Sequence, residues 1–276
     1  MTTAMTNAPG TARPAGKAAL RVTWSRVLLS EWTKFRSLRS MVWTLLTAVV
    51  LSIVLDAVFA AVSGSHTSPA ARASFNPVAT SLDGIIFAQL AVGVLGVLMI
   101  SGEYSTGMIR SSLTAVPRRL PVLWAKLAVF AGVAFPVMLV TSFVSFFIGQ
   151  ALLSSHHLNV AITAPGALHA VFGAALYPTI GGLTGLALGG LLRNTAAGIS
   201  AFAGVFFVLS SLSSVLPTSW QAHFAQYLPF KLDQAVYLNG QDLAHPLGPW
   251  VAFGVLCGYA VILTGFAAWR LRRADV

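Results

Sequence analysis

The stretch MVWTLLTAVVLSIVLDAVFAAV, Met41–Val62, decides the fold class. It holds one charged residue, Asp56, and is otherwise apolar or small. An α-helix rises about 1.5 Å per residue, so a run of this length covers the roughly 30 Å of a bilayer's hydrocarbon. Five further runs of this kind follow: Gly84 to Ser101, Pro121 to Gln150, Gly166 to Leu192, Ala196 to Leu216, and Gly248 to Trp269. The third is too long for one perpendicular crossing, so it is expected to tilt, kink or extend beyond the bilayer, with Pro136 as the kink. The predicted fold is an all-α membrane protein with six transmembrane helices.

Composition agrees. The chain has 276 residues, 56% hydrophobic and only 9% charged, with a mean hydropathy of +0.78. Soluble domains carry about 25% charged residues, so an ordinary soluble protein is excluded. A single cysteine, Cys257, excludes an internal disulfide and a Cys-rich metal site.

The charge balance is basic, 17 Lys+Arg against 7 Asp+Glu, a formal net of +10. Its distribution separates a nucleic-acid footprint from a topology signal. With the N-terminus inside, the inner segments 1–40, 102–120, 193–195 and 270–276 hold fourteen basic residues. Lys126 lies at the inner end of the third span, and the outer loops hold only Arg72 and Lys231. This positive-inside pattern predicts both termini in the cytoplasm and the chain in the plasma membrane, with no nucleic-acid partner. Residues 1–17 are small, polar and Pro-containing and read as a disordered tail. No signal-peptide core precedes the first span.

Residues 18–40 read as an amphipathic basic helix in the membrane interface. Trp24, Val27, Leu28, Phe35 and Leu38 fall at helical spacing, with most of the cations elsewhere. Glu31 falls on the apolar side, where an unpaired carboxylate is costly, so a partner is expected: Lys34 one turn on, or an arginine of the next loop. That loop, residues 101–126, is too polar to cross lipid. Ser105-Thr106-Gly107 before Met108 and Ile109 suits the capped start of a short helix, and Glu103 beside Tyr104 stands at a membrane exit.

On these residues the chain resembles ABC-transporter permeases of the type-2 exporter class. Ser30-Glu31-Trp32-Thr33-Lys34-Phe35-Arg36-Ser37 looks like the run that opens such permeases. Gly102-Glu103-Tyr104-Ser105-Thr106-Gly107, followed by Arg110, Pro117, Arg118 and Lys126, and also Tyr227-Leu228-Pro229, are similar to the family's actinobacterial branch. The resemblance implies a homodimer, or a pair with a closely related permease, associated with ATP-binding-cassette ATPase subunits. It also implies an interface helix, a coupling helix in the first cytoplasmic loop, and a segment (residues 217–247) that dips back into the membrane. ATP and Mg would be bound by the partner; no cofactor is expected in this chain. Glu31, Glu103, Tyr104, Arg110 and Arg118 become the candidates for coupling to the ATPase.

This chain has no G-x-x-x-x-G-K-[ST], so it has no phosphate cradle of its own. Gly181, Gly185 and Gly189 share one helical face and permit close helix packing, within a subunit or at a dimer interface. Asp56 is an intramembrane acid: it faces a cavity or partner, or it reaches the outer headgroups. It joins Phe87, Phe202 and Phe206 as a candidate for the substrate path. Lys126 is expected to snorkel to the cytoplasmic face. All six histidines fall on the outer side without metal-ligand spacing.

The reading is a permease subunit of an ATP-driven exporter for an amphipathic or hydrophobic substrate, and not an enzyme itself. The alternative is a non-transporting membrane sensor or assembly subunit. A secondary transporter ranks third, because its sites need interrupted helices and midplane polar groups.

Overall fold

The computed structural model describes residues 23–68, 70–109, 111, 119–212, 225–237 and 247–273. The expected tail 1–17, Arg110, Arg118, and residues 217–224 and 238–246 of the outer segment lie outside the described residues. All the long elements are helical. Helix α1, Trp24–Ser37, is followed directly by α2, Arg39–His66. Then come α3, Ile85–Ser105; α4, Leu120–Ser154; and α5, Ala167–Leu192. Helix α6, Thr195–Leu212, contains a π-turn at Gly204–Val208, and the short α7, Pro229–Tyr237, precedes α8, Pro249–Arg273. Six of these, α2 to α6 and α8, are long and apolar enough to cross a membrane.

The junction between α1 and α2 is a single extended residue, Leu38, at φ −83° and ψ 93°. That elbow lets α1 leave the direction of α2, and α1 packs on α4. Its buried residues, Val27, Glu31 and Phe35, recur every four positions and form one stripe. Helix α4 runs unbroken through Pro136. At 35 residues it extends about 52 Å, well beyond the hydrocarbon.

Helix α5 is the hub, packed against α3, α4, α6, α7 and α8. Small residues make this possible. The α3 and α5 backbones approach so closely that a Cβ on Gly96 would fall on the carbonyl of Gly182. Without a hydrophobic driving force between helices in lipid, such backbone proximity is what supplies dispersion contact. Some buried polar groups pair across the bundle: the Tyr177 hydroxyl donates to Gln89 Oε1, and Gln150 Nε2 donates to Ser81 Oγ at 2.9 Å.

One boundary changes: the second span was expected to end at Ser101. Instead α3 continues to Ser105, so Glu103 sits in its last turn rather than in a loop. Thr106 closes it, its N–H donating to the Gly102 carbonyl at 3.2 Å, and Gly107 follows at φ +72°, where a side chain would be strained. Helical backbone resumes at Met108 and Ile109. Of the outer segment 217–247, α7 packs its Leu232, Ala235 and Val236 against Ile180, Ala252 and Leu256.

Candidate functional site: a buried charge network

The end of the bundle that carries α1 gathers four charges from three helices. Glu31 and Lys34 come from α1, one turn apart; Glu103 comes from the last turn of α3; Lys126 comes from the second turn of α4. Lys126 Nζ donates to Glu31 Oε2 at 2.6 Å and to Glu103 Oε1 at 2.7 Å. Lys34 Nζ donates to Glu31 Oε1 at 2.6 Å and to Glu103 Oε1 at 3.1 Å. Acids and bases alternate around a ring whose formal charge is zero.

Burial makes the ring consequential. Glu31 and Lys126 are each 1% exposed. An isolated ion there would cost several kcal/mol, on the order of what the whole fold retains, so each charge is tolerable only through the others. Lys34 lies at the ring's outer side. Burial alone would lower its pKa, but the hydrogen bonds and negative charges of Glu31 and Glu103 outweigh it and hold the ammonium above its usual 10.5. One acceptor is left over: Glu103 Oε2 is buried and has no hydrogen-bond partner among the described residues.

The snorkelling expected of Lys126 is corrected by this geometry. Its side chain turns into the bundle, because two glutamates lie there and reaching water would leave Lys34 alone to balance both. Lys34 does pair with Glu31, and among the described residues the second partner of Glu31 is Lys126. The clue was in the composition: the only two glutamates lie at the same ends of the spans as a lysine with no acid near it in sequence.

Tyr104, beside Glu103, lies under the guanidinium of Arg193, 5.2 Å from its ring centroid. Arg193 terminates α5 in the left-handed region at φ 56°. Its Nη2 donates to the Arg270 carbonyl at 3.4 Å, and Arg270 Nη1 donates to the Leu191 carbonyl at 2.5 Å. Cations thus satisfy the last carbonyls of α5 and α8, where helix dipoles are negative.

The candidates for the substrate path separate. Asp56 is fully buried, ten residues before the end of α2 and therefore about 15 Å from it. Its Oδ1 accepts the Gly84 N–H at 2.6 Å, at the N-terminus of α3, and Ser52 Oγ lies 3.4 Å from Oδ2. The carboxylate caps a helix inside the bundle; it does not reach headgroups. Gly84 permits this approach, since a Cβ there would lie 2.6 Å from the Asp56 backbone nitrogen. Phe202 and Phe206 stack at 4.6 Å and are buried with Val97 and Leu188. Phe87 is exposed on the outside of α3. The path residues are therefore not brought together in one chain.

The three glycines all turn toward α3. Gly181 faces the Gln89 side chain, Gly185 the Gly93 backbone, and Gly189 the Val97 carbonyl. Among the described residues no group of three or more His, Cys, Asp or Glu is placed to hold a metal.

No curated protein matches the chain. Residues 27–211 match the family described as ABC-2 family transporter protein, a span from near the start of α1 through nearly all of α6 that includes every member of the charge network. With that match over most of its length and six membrane-length helices, the chain is a multi-pass membrane protein that belongs to the ABC-2 transporter family, as an ABC-2 type permease.

Proposed function

We propose that this permease is the membrane subunit of an ATP-driven exporter in the plasma membrane, with both termini cytoplasmic. Two copies, or one copy and a related permease, would form the path for an amphipathic or hydrophobic substrate. A separate ATP-binding-cassette subunit would bind ATP and Mg. Family membership implies such a partnership, and the positive-inside charge pattern supports the orientation.

The observation that carries the mechanism is the buried ring of Glu31, Lys34, Glu103 and Lys126. The segment 106–119 joins α3 to α4, so force applied to it acts on both helices close to Glu103 and Lys126. The ring ties both to α1, so the loop, the interface helix and the two spans move as one body. Glu31 and Glu103 then act in coupling from inside the permease, by transmitting movement, instead of touching the ATPase. Tyr104 and Arg193 extend the connection to α5, while Arg110 and Arg118 are the loop's candidates for direct ATPase contact.

The test is co-expression with an ATP-binding-cassette ATPase, followed by purification through the permease alone. The ATPase should co-purify, and charge reversal at Arg110 and Arg118 should weaken its retention. Retention unaffected by both reversals would refute the assignment of the loop. A sensor or assembly subunit, the alternative, would purify without an ATPase.

A further inference from the structure

A cavity of about 270 Å³ lies beside the charge network, beneath the α1–α2 elbow. Phe35, Leu38, Met41, Leu98, Met99 and Met108 give it apolar walls. Glu103 also lines it, and Glu103 Oε2 is the buried acceptor without a partner among the described residues. Both lysines reach Glu103 at Oε1, and each also bonds Glu31. Leaving a buried carboxylate oxygen unsatisfied is costly, and a ligand that brings a donor removes the cost.

We infer that this cavity binds a single-chain amphiphile whose head donates a hydrogen bond to Glu103 Oε2 and whose chain lies along the apolar walls. Three properties select that class. The acceptor demands an N–H or O–H, so a carboxylate head is repelled. The walls demand hydrocarbon. The volume falls below the roughly 300–1,000 Å³ of ordinary ligand pockets, so one chain fits where a two-chain lipid does not. The position, where the apolar spans meet the polar loop, is where such a molecule partitions in a bilayer. Gly102 lines the cavity, and a Cβ there would meet nothing within 4 Å, so a larger side chain can be built at its wall. That the amphiphile is cargo rests on the exporter reading; its binding does not.

The experiment uses the full chain in phosphatidylcholine nanodiscs, whose headgroups carry no donor. Dodecyl chains with a photoreactive diazirine and an amine, hydroxyl or carboxylate head are the probes, and labelled peptides are mapped. The amine and the alcohol should label α1 and α3 saturably. The carboxylate should bind about 10- to 100-fold more weakly, the loss of one hydrogen bond to a charged group. Gly102→Phe should abolish labelling without lowering stability, and Ser105→Phe, at an exposed position lining the same cavity, is the second filler. Equal or stronger labelling by the carboxylate, survival of labelling in both fillers, or displacement of the probe by phosphatidylethanolamine in the disc would overturn the inference. Because no ATPase is present, those results leave the exporter reading standing, whereas failure of co-purification refutes that reading alone.

Discussion

Replacing Lys126 by methionine isolates what the buried ring contributes. Methionine nearly preserves the length of the side chain, so packing changes little, under about 1.5 kcal/mol. What disappears is the 2.6 Å bond to Glu31 Oε2 and the 2.7 Å bond to Glu103 Oε1. Lys34 remains, close to Glu31 at 2.6 Å but 3.1 Å from Glu103, and cannot balance two carboxylates. Two charge-assisted bonds at about 1.5–3 kcal/mol each bound the loss from above. Removing one partner from a buried ionic group costs about 3–5 kcal/mol, and protonation of a stranded glutamate limits it. The expected loss is thus about 3–5 kcal/mol, two to nearly four powers of ten in the folding equilibrium. Reversible unfolding in mixed micelles measures it, and a double-mutant cycle with Glu31→Gln should return about 0.5–3 kcal/mol as coupling. A loss below about 1 kcal/mol, as for a lysine that reaches water, would refute the buried ring.

Other substitutions test neighbouring parts of the account. Gly96→Ala forces the α3 and α5 backbones apart and should cost about 1–3 kcal/mol, whereas Gly132→Ala, where a Cβ meets nothing within 4 Å, should be neutral or stabilising in the same unfolding assay. Asp56→Asn keeps an acceptor for the Gly84 N–H and should preserve both stability and export, while Asp56→Leu strands that N–H and should cost about 1–3 kcal/mol. Loss of export in a stable Asp56→Asn protein would restore the carboxylate to the substrate path. Lys34 has a pKa above its usual 10.5 when folded. Its stabilising contribution is therefore complete below about 10.5 and lost as pH rises through the folded value. Melting followed from pH 9 to about 12 should show an alkaline decline that Lys34→Met removes and Lys34→Arg shifts upward, because arginine keeps its charge.

The spans were legible because lipid imposes a length and a composition on any helix that crosses it, and neither depends on partners. Their ends were less so. Helix α2 passes Val62 to His66, where Ser65 and His66 bond the Val62 carbonyl one turn back. Helix α3 passes Ser101 to Ser105, where Glu103 finds partners that only the fold supplies. Glu103 is the clearest instance. In the sequence it belongs with Ser and Thr in a polar loop; in the fold Lys126 and Lys34 neutralise it and allow another helical turn. The pairing of Glu31 with Lys34 followed from helical spacing, whereas Lys126 lies 95 residues away and no local rule connects them. The glycine face was visible in the i, i+4 spacing, but that it turns to α3 within the same chain depends on tertiary packing. Phe202 and Phe206 show the limit for aromatics in spans, since core and pathway residues have the same hydropathy.

ATP hydrolysis by the co-purified complex in lipid nanodiscs tests the central claim most directly, with wild-type permease compared against Lys126→Met in complexes of equal stoichiometry. The account predicts that wild-type permease changes the ATPase rate from that of the free ATPase, and that Lys126→Met binds the ATPase but loses that control. Full control retained by a Lys126→Met complex would contradict a coupling path through the buried ring.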